Sequence, residues 1–300
     1  MRLDAPLLST AELTALHEDI MTGRARRDAA ASAELAGPYA SAQRGFGLEL
    51  YESRPYRAGD EPRHMDWRAT ARSGRPMSKV FRAEKQRSIF LVIDRSPSMA
   101  FATRGELKAA VAARAAAILS FMAVAAQEPV AGAVAEESLR VFAAARHADG
   151  VLPMLRAAAA PLAAAREQGR VTLGDMHTWE WLDKVAPHQA TVYLLSDLQF
   201  LSRALQGSLA HLATRREIWA LQVMDPSEEN LPDAGLLRLR SPSGGASVVV
   251  DTGDIRVRRA YAQRMAERHA EQQAILSASN IQWRRLYTHA DPRETLQEVA

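Results

Sequence analysis

The sequence predicts an α/β protein in which helices cover both faces of a mostly parallel sheet, preceded by an N-terminal extension. Residues 88–93, 191–195 and 217–223 form nearly continuous apolar runs, as strands buried on both faces do. Stretches with helical patterns lie between these runs, and strands that alternate with helices favour a parallel sheet. Two of the runs end in acids and hydroxyls, and ligands of such sheets gather at the carboxyl ends of strands.

The first predicted element is a helix over residues 8–35, which the pair Ser9-Thr10 opens. Residues 40–88 follow as an irregular or short-stranded segment that is rich in arginine. Strands 129–135 and 139–145 are close enough in sequence to form a hairpin. The elements after the extension are, in order, strand 88–93, helix 105–127, strands 129–135 and 139–145, helices 151–167 and 176–185, strand 191–195, helix 205–214, strand 217–223, helix 256–279, strand 281–287 and helix 292–299.

Composition predicts two domains, an N-terminal helix with the arginine-rich extension over residues 1–85 and the α/β domain over residues 86–300. A chain of 300 residues that is 47% hydrophobic can bury a large core. Its formal net charge of +3 is too small to indicate nucleic acid as the partner. The absence of cysteine excludes disulfides, thiolate metal sites and cysteine nucleophiles.

The N-terminal residues lack a sustained apolar segment, so no signal peptide is expected. The stretch closest to a membrane span is the alanine-rich run 109–126, which contains Arg114 and barely reaches the length of a span. Alanine forms helices well but is only weakly hydrophobic, so we expect a buried core helix here. The sequence therefore predicts a soluble, cytoplasmic protein without a membrane span.

Three oxygen-bearing side chains, Asp94, Ser96 and Ser98, alternate directly after the first buried strand. Alternation lets these side chains point one way from the loop, and hard oxygen ligands suit Mg²⁺. A cation site, a helix cap and a polar turn are all compatible with this pattern, although the next helix begins some six residues further on, which makes direct capping awkward. Asp197 follows a second buried strand and lies at the same predicted sheet edge.

Motifs of common enzyme classes are absent. The sequence contains no GxxxxGK[ST], no HExxH and no GxSxG, and its eight histidines lack the spacing of metal ligands. A metal-dependent hydrolase would need a general base near the predicted edge. The candidates for that role are Glu136, Glu137 and His177.

The arginine-rich segment has two interpretations. Asp66 and Trp67 lie among four arginines in "YRAGDEPRHMDWRATAR", and guanidinium and carboxylate groups match bidentately. We expect either a structural clasp in which Asp66 accepts hydrogen bonds from an arginine, or a surface that binds a partner. Nucleic-acid binding is disfavoured because the basic residues lack interleaved aromatics.

The motifs "DRSPSM" and "LLSDL" resemble the metal-ion-dependent adhesion site of von Willebrand factor A-like domains. The preceding text, "ESRPYRAGDEPRHMDW" and "FRAEKQRSIFLVIDRSPSM", is similar to the Domain of Unknown Function 58 family. Further segments, "MDPSEENLPDAG", "VDTGD" and "RRAYAQRMAERHAEQ", also look like that family, so the resemblance covers roughly residues 40–300.

This resemblance implies a Rossmann-type, von Willebrand factor A-like sheet with a site for Mg²⁺ or Mn²⁺. The implied metal ligands are Asp94, Ser96, Ser98 and Asp197. The class also places a threonine in a loop before a helix, and Thr172 is the nearest match, although alignment on the following Leu-Gly pair puts Val171 in that position.

The family further implies a non-enzymatic protein-interaction module, an adaptor whose partner is a MoxR-type AAA+ ATPase. The alternatives are the metal-dependent hydrolase and a structural scaffold with an inactive metal site.

Overall fold

The computed structural model describes residues 5–35, 49–57, 65–82, 87–136, 138–162, 173–240 and 247–299. The chain forms two compact units, one of residues 1–28 with 87–300 and one of residues 29–86. These units differ in one respect from the predicted domains, which divide the chain between residues 85 and 86: residues 1–28 group with the larger unit. The reason is packing: Leu8, Leu13 and Leu16 are buried in the same apolar cluster as the central sheet.

Six strands form the central sheet of the larger unit: β3 (Ile89–Asp94), β4 (Val130–Ala135), β5 (Leu139–Ala145), β6 (Thr191–Ser196), β7 (Glu217–Met224) and β10 (Gln282–Tyr287). Their order in space is β10-β7-β6-β3-β4-β5. Neighbouring strands are parallel except β4 and β5, which are antiparallel. The three apolar runs are adjacent central strands, and the hairpin forms, so both predictions are confirmed.

Helices cover both faces of this sheet. They are α1 (Thr10–Leu35), α3 (Lys108–Ala125), α4 (Ala148–Ala159), α5 (Met176–Val185), α6 (Gln206–Ala213), α7 (Ile255–Ala278) and α8 (Pro292–Leu296). Leu91 and Ile93 point into one cluster with α1, α3, α4 and α8, whereas Phe90 and Val92 point into a second cluster with α5, α6 and α7. The alternation follows from the two-residue period of a strand.

Helix α3 is the alanine-rich stretch of the sequence. Among the described residues it is the one helix long and apolar enough to cross a membrane, yet 89% of its 18 residues are buried inside the fold. Small side chains let this helix pack closely against the sheet, and it is a core helix as predicted.

The smaller unit contains a two-stranded antiparallel sheet of β1 (Glu49–Pro55) and β2 (Met77–Arg82), with α2 (Trp67–Ser73) between them in sequence. Asp66 caps α2, accepting the backbone N–H groups of Arg68 at 3.1 Å and Ala69 at 3.0 Å. Its other oxygen accepts the Ser53 hydroxyl at 2.6 Å. Arg68, an arginine as expected, donates to Asp66 through its main chain, and the Ser53 contact ties the cap to β1.

A second antiparallel hairpin, β8 (Leu236–Arg240) with β9 (Ser247–Asp251), follows β7 in the chain. The sequence patterns predict no element between residues 224 and 255. Both strands are only five residues long, and they pair with each other rather than with the central sheet.

Candidate metal centre

Two carboxylates meet at the carboxyl edge of the central sheet. Asp94 is the last residue of β3, and Asp197 directly follows β6, its parallel neighbour. Parallel strands end at the same edge, so the topology alone brings these two residues together. Both side chains are buried, with 3% and 5% of the residue exposed.

The loop after β3 gathers the two predicted hydroxyls. Asp94 accepts the backbone N–H of Ser96 at 2.8 Å, which turns the chain, and Pro97–Met99 form one turn of 3-10 helix. The hydroxyl oxygens of Ser96 and Ser98 lie 3.1 Å apart. Helix α3 begins nine residues later behind Leu107, without a side-chain cap, so the loop does not cap that helix.

A cavity of about 190 Å³ opens between these residues. Asp94, Ser96, Ser98 and Asp197 all line it, so the structure brings four of the five predicted ligands together. Thr172, the fifth, and Val171 lie outside the described residues. The remaining lining residues are Pro97, Ala135, Glu136, Leu173, Gln199 and Phe200.

Arg95, between the two predicted ligands Asp94 and Ser96, points away from the cavity. Its buried guanidinium donates to Glu136 at 3.1 Å, to the Pro161 carbonyl at 2.9 Å and to the Ala158 carbonyl. These bonds hold the loop against the C-terminal end of α4. Glu136 is therefore engaged in an ion pair, although it also lines the cavity.

The other two candidate bases do not strengthen a catalytic interpretation. The side chain of His177 is 84% exposed and pairs with Glu180 at 3.2 Å. It does not belong to the described residues that line the cavity. Glu137 lies outside the described residues.

Sequence reasoning missed a buried lysine beside the site. Lys108 is fully buried, and its ammonium donates to Asp197 at 2.8 Å and to Glu228 at 2.7 Å. Burial by itself lowers the pKa of Lys108, but the two carboxylates outweigh burial and raise it, so the lysine is charged. A signal existed in the sequence, since the helix dipole disfavours a cation in the first turn of α3.

Asp94 has an environment that disfavours its charge. Burial, and after it the negative charge of Asp197, raise the pKa of Asp94 to about 6. Ser196, a residue that sequence reasoning also missed, donates its hydroxyl to Asp94 at 2.5 Å and favours the charged form only in part. A cation beside both carboxylates would remove the repulsion between them.

The donor set fits a small hard cation. Carboxylate and hydroxyl oxygens are the ligands of Mg²⁺, which keeps several waters and binds few protein groups. The described residues contain no group of three or more histidines and acids able to hold a metal. A cation here would therefore depend on the serine hydroxyls as well as the carboxylates.

Comparison with known proteins identifies one family. The model of "Protein of unknown function DUF58" matches residues 52–271. Uncharacterized proteins of Mycobacterium bovis and Mycobacterium tuberculosis are 29% identical over 206 residues, which is 67% of this chain and 62% of theirs. The matched region thus spans less than two thirds of the length of these relatives.

Solved structures show weak similarity. BatB of Bacteroides thetaiotaomicron aligns with a TM-score of 0.47 at 12% identity, over 70% of this chain and 95% of that one. An aerotolerance-related membrane protein of Bacteroides fragilis aligns with a TM-score of 0.46 at 13% identity, over 71% of this chain and 96% of that one. A von Willebrand factor type A protein of Catenulispora acidiphila aligns with a TM-score of 0.33 at 14% identity, over 63% of this chain and 43% of that one.

Proposed function

Because this chain belongs to the DUF58 family of proteins of unknown function, we propose for it a function that the geometry of its sheet edge supports. It is a non-enzymatic protein-interaction module of von Willebrand factor A-like fold that uses a divalent cation. One observation carries the proposal: Asp94, Ser96, Ser98 and Asp197 line one cavity at the carboxyl ends of adjacent parallel strands.

The serine hydroxyls and the two aspartates would hold Mg²⁺ or Mn²⁺. When bound, the ion supplies a positive charge that attracts a carboxylate of the partner protein. Lys108 already neutralises part of the charge of Asp197 and Glu228. With two of its four protein donors neutral, the cation would keep charge for an external ligand.

The partner we propose is a MoxR-type AAA+ ATPase in the cytoplasm, with this protein as its adaptor. Support for the partner comes from the family resemblance, which implies an adaptor that assembles or activates target complexes together with such ATPases. The cavity supports the mode of binding, because an acidic side chain is the group that a partly hydrated cation would accept.

Two alternatives differ in what the cavity does. A metal-dependent hydrolase would need a free base, yet Glu136 is paired with Arg95 and His177 points into solvent on α5. A scaffold with an inactive site would bind its partner without metal. The buried, mutually repelling carboxylates favour a cation over an inactive site.

Titration calorimetry with Mg²⁺ and with Mn²⁺ tests the cation site. We expect binding by the wild type and none by Asp94→Ala, which removes a ligand. Asp175→Ala is the matched control, because this exposed aspartate caps α5 next to the site but does not line the cavity. Equal binding by all three proteins would reject the site.

Affinity for the host's MoxR-type ATPase, measured with Mg²⁺ and with chelator, tests the interaction. We expect chelator and Asp94→Ala to weaken it equally. Metal binding without any effect on the ATPase would reject the partner alone. Metal-dependent cleavage of generic phosphoester or peptide substrates that Asp94→Ala abolishes would establish the hydrolase instead.

A further inference from the structure

The hairpin β8–β9 and the start of α7 concentrate exposed apolar surface. Ten large hydrophobic residues of the described chain are exposed, and five of them lie between residues 236 and 255. The pairing register puts Leu239 and Val248 on one face of the hairpin and Leu236 and Val249 on the other, so each face exposes two large apolar side chains. The five are Leu236 (72% exposed), Leu239 (40%), Val248 (59%), Val249 (57%) and Ile255 (48%).

Strand β9 also has an open edge. In the described residues, β8 is its one neighbour, and the pair forms a separate two-stranded sheet. A hairpin of two strands is marginally stable in water, and an open edge of β-branched residues is a template for another strand. The centre of β9, Val248 to Val250, consists of valines only.

We propose that β9 pairs antiparallel with β9 of a second copy of this chain, so that the two hairpins form one four-stranded sheet. The two-fold axis would pass at Val249, which then faces its own equivalent. This register places Val248 opposite Val250 and Ser247 opposite Asp251. The valines thus pair with valines, and each Asp251 faces an uncharged serine, so no pair sets like charges opposite each other. The proposal is independent of the cation site.

Two arginines of β8, Arg238 and Arg240, favour pairing through the edge of β9, in the register centred on Val249. Arg240 lies directly across β8–β9 from Ser247, hence on the same face. In the dimer the neighbour of Ser247 is Asp251 of the second copy, so the long arginine side chain reaches that carboxylate over the small serine, twice by symmetry. The same pairing through β8 would set Arg238 against its own equivalent, and like charges opposite each other destabilise a strand pair.

The mass in solution tests the proposal, measured by sedimentation equilibrium over a wide range of concentration. We expect the wild type to approach twice 32.9 kDa. Val249→Lys sets two lysines face to face and should raise the dissociation constant at least about tenfold. Val141→Lys is the matched control, because Val141 is 43% exposed on β5, an edge strand of the central sheet. This variant should leave the dimer unchanged.

A charge exchange tests the register. Asp251→Arg should weaken the dimer, and the double variant Arg240→Asp/Asp251→Arg should restore it. Chelator should leave the mass unchanged. A monomeric wild type, a dimer that withstands Val249→Lys, a dimer that Val141→Lys weakens equally, or a failure of the double variant to restore association would each overturn the proposal.

Discussion

Asp94 and Asp225 are both buried aspartates at the carboxyl edge of the central sheet, Asp94 at the end of β3 and Asp225 directly after β7. Asp225 accepts hydrogen bonds from the N–H and hydroxyl of Thr103, from the N–H and hydroxyl of Ser227 and from the Thr288 hydroxyl. Asp94 accepts the N–H of Ser96 and the hydroxyl of Ser196, and it lies near the second carboxylate, Asp197.

The pKa values of the two aspartates move in opposite directions. Burial raises the pKa of both, but the donors of Thr103 and Ser227 outweigh burial at Asp225 and bring its pKa well below the usual range. At Asp94 the repulsion from Asp197 adds to burial. The number of hydrogen-bond donors thus separates a structural carboxylate, which ties three loops together, from one whose negative charge is less well compensated.

The largest effect we expect is that of Asp225→Ala. This change strands several buried donors, each of which costs about 1–3 kcal/mol, so the free energy of unfolding should fall by about 4 kcal/mol or more. Denaturant titration measures the loss. Asp175→Ala, the removal of an exposed helix cap, should cost only about 1 kcal/mol. Equal losses in the two variants would contradict the structural role of Asp225.

Lys108→Met should have the next largest effect. The variant keeps the buried stem but leaves Asp197 and Glu228 without their ammonium, and breaking a buried pair costs about 3–5 kcal/mol. Arg203→Met is the control, because its ion pair with Glu271 is exposed and should contribute less than about 1 kcal/mol. If Mg²⁺ occupies the site, it should recover part of the loss in Lys108→Met, as measured by thermal unfolding. A loss no larger than that of the control would show that the buried ammonium is dispensable.

The smallest effect is a gain in stability. The pKa of Asp94 rises from 3.8 to about 6 in the folded protein, so the native state binds this proton more tightly than the unfolded state does. Stability contributed by this group therefore falls as pH rises from about 4 to 6 and stays low above that. Asp94→Asn should remove this fall and stabilise the metal-free protein at pH 8 by on the order of 1–3 kcal/mol.

Denaturant titrations of both proteins at pH 4 and pH 8 measure this difference. Asp225 supplies the opposite case, because its depressed pKa gives stability above the usual carboxyl pKa that is lost as pH falls. An Asp94→Asn variant that is less stable than the wild type at pH 8 would show that its hydrogen bonds outweigh the repulsion.

The sequence by itself determined the central sheet and the core of the candidate site. Runs such as 88–93 and 191–195 are apolar on both faces, as are the strands of a parallel sheet that helices cover on both sides. Because such strands end at one edge, Asp94, Ser96, Ser98 and Asp197 could be grouped from local patterns without knowledge of distant contacts.

Tertiary structure alone decided the partners of these residues. Lys108 lies 89 residues from Asp197 and 120 from Glu228, and no periodic pattern links positions so far apart. The same holds for Thr103 and Asp225, 122 residues apart, and for the leucines of α1 that join the larger unit. Periodicity reports which face of an element is buried, whereas the identity of the group packed against it depends on how the whole chain closes around the core.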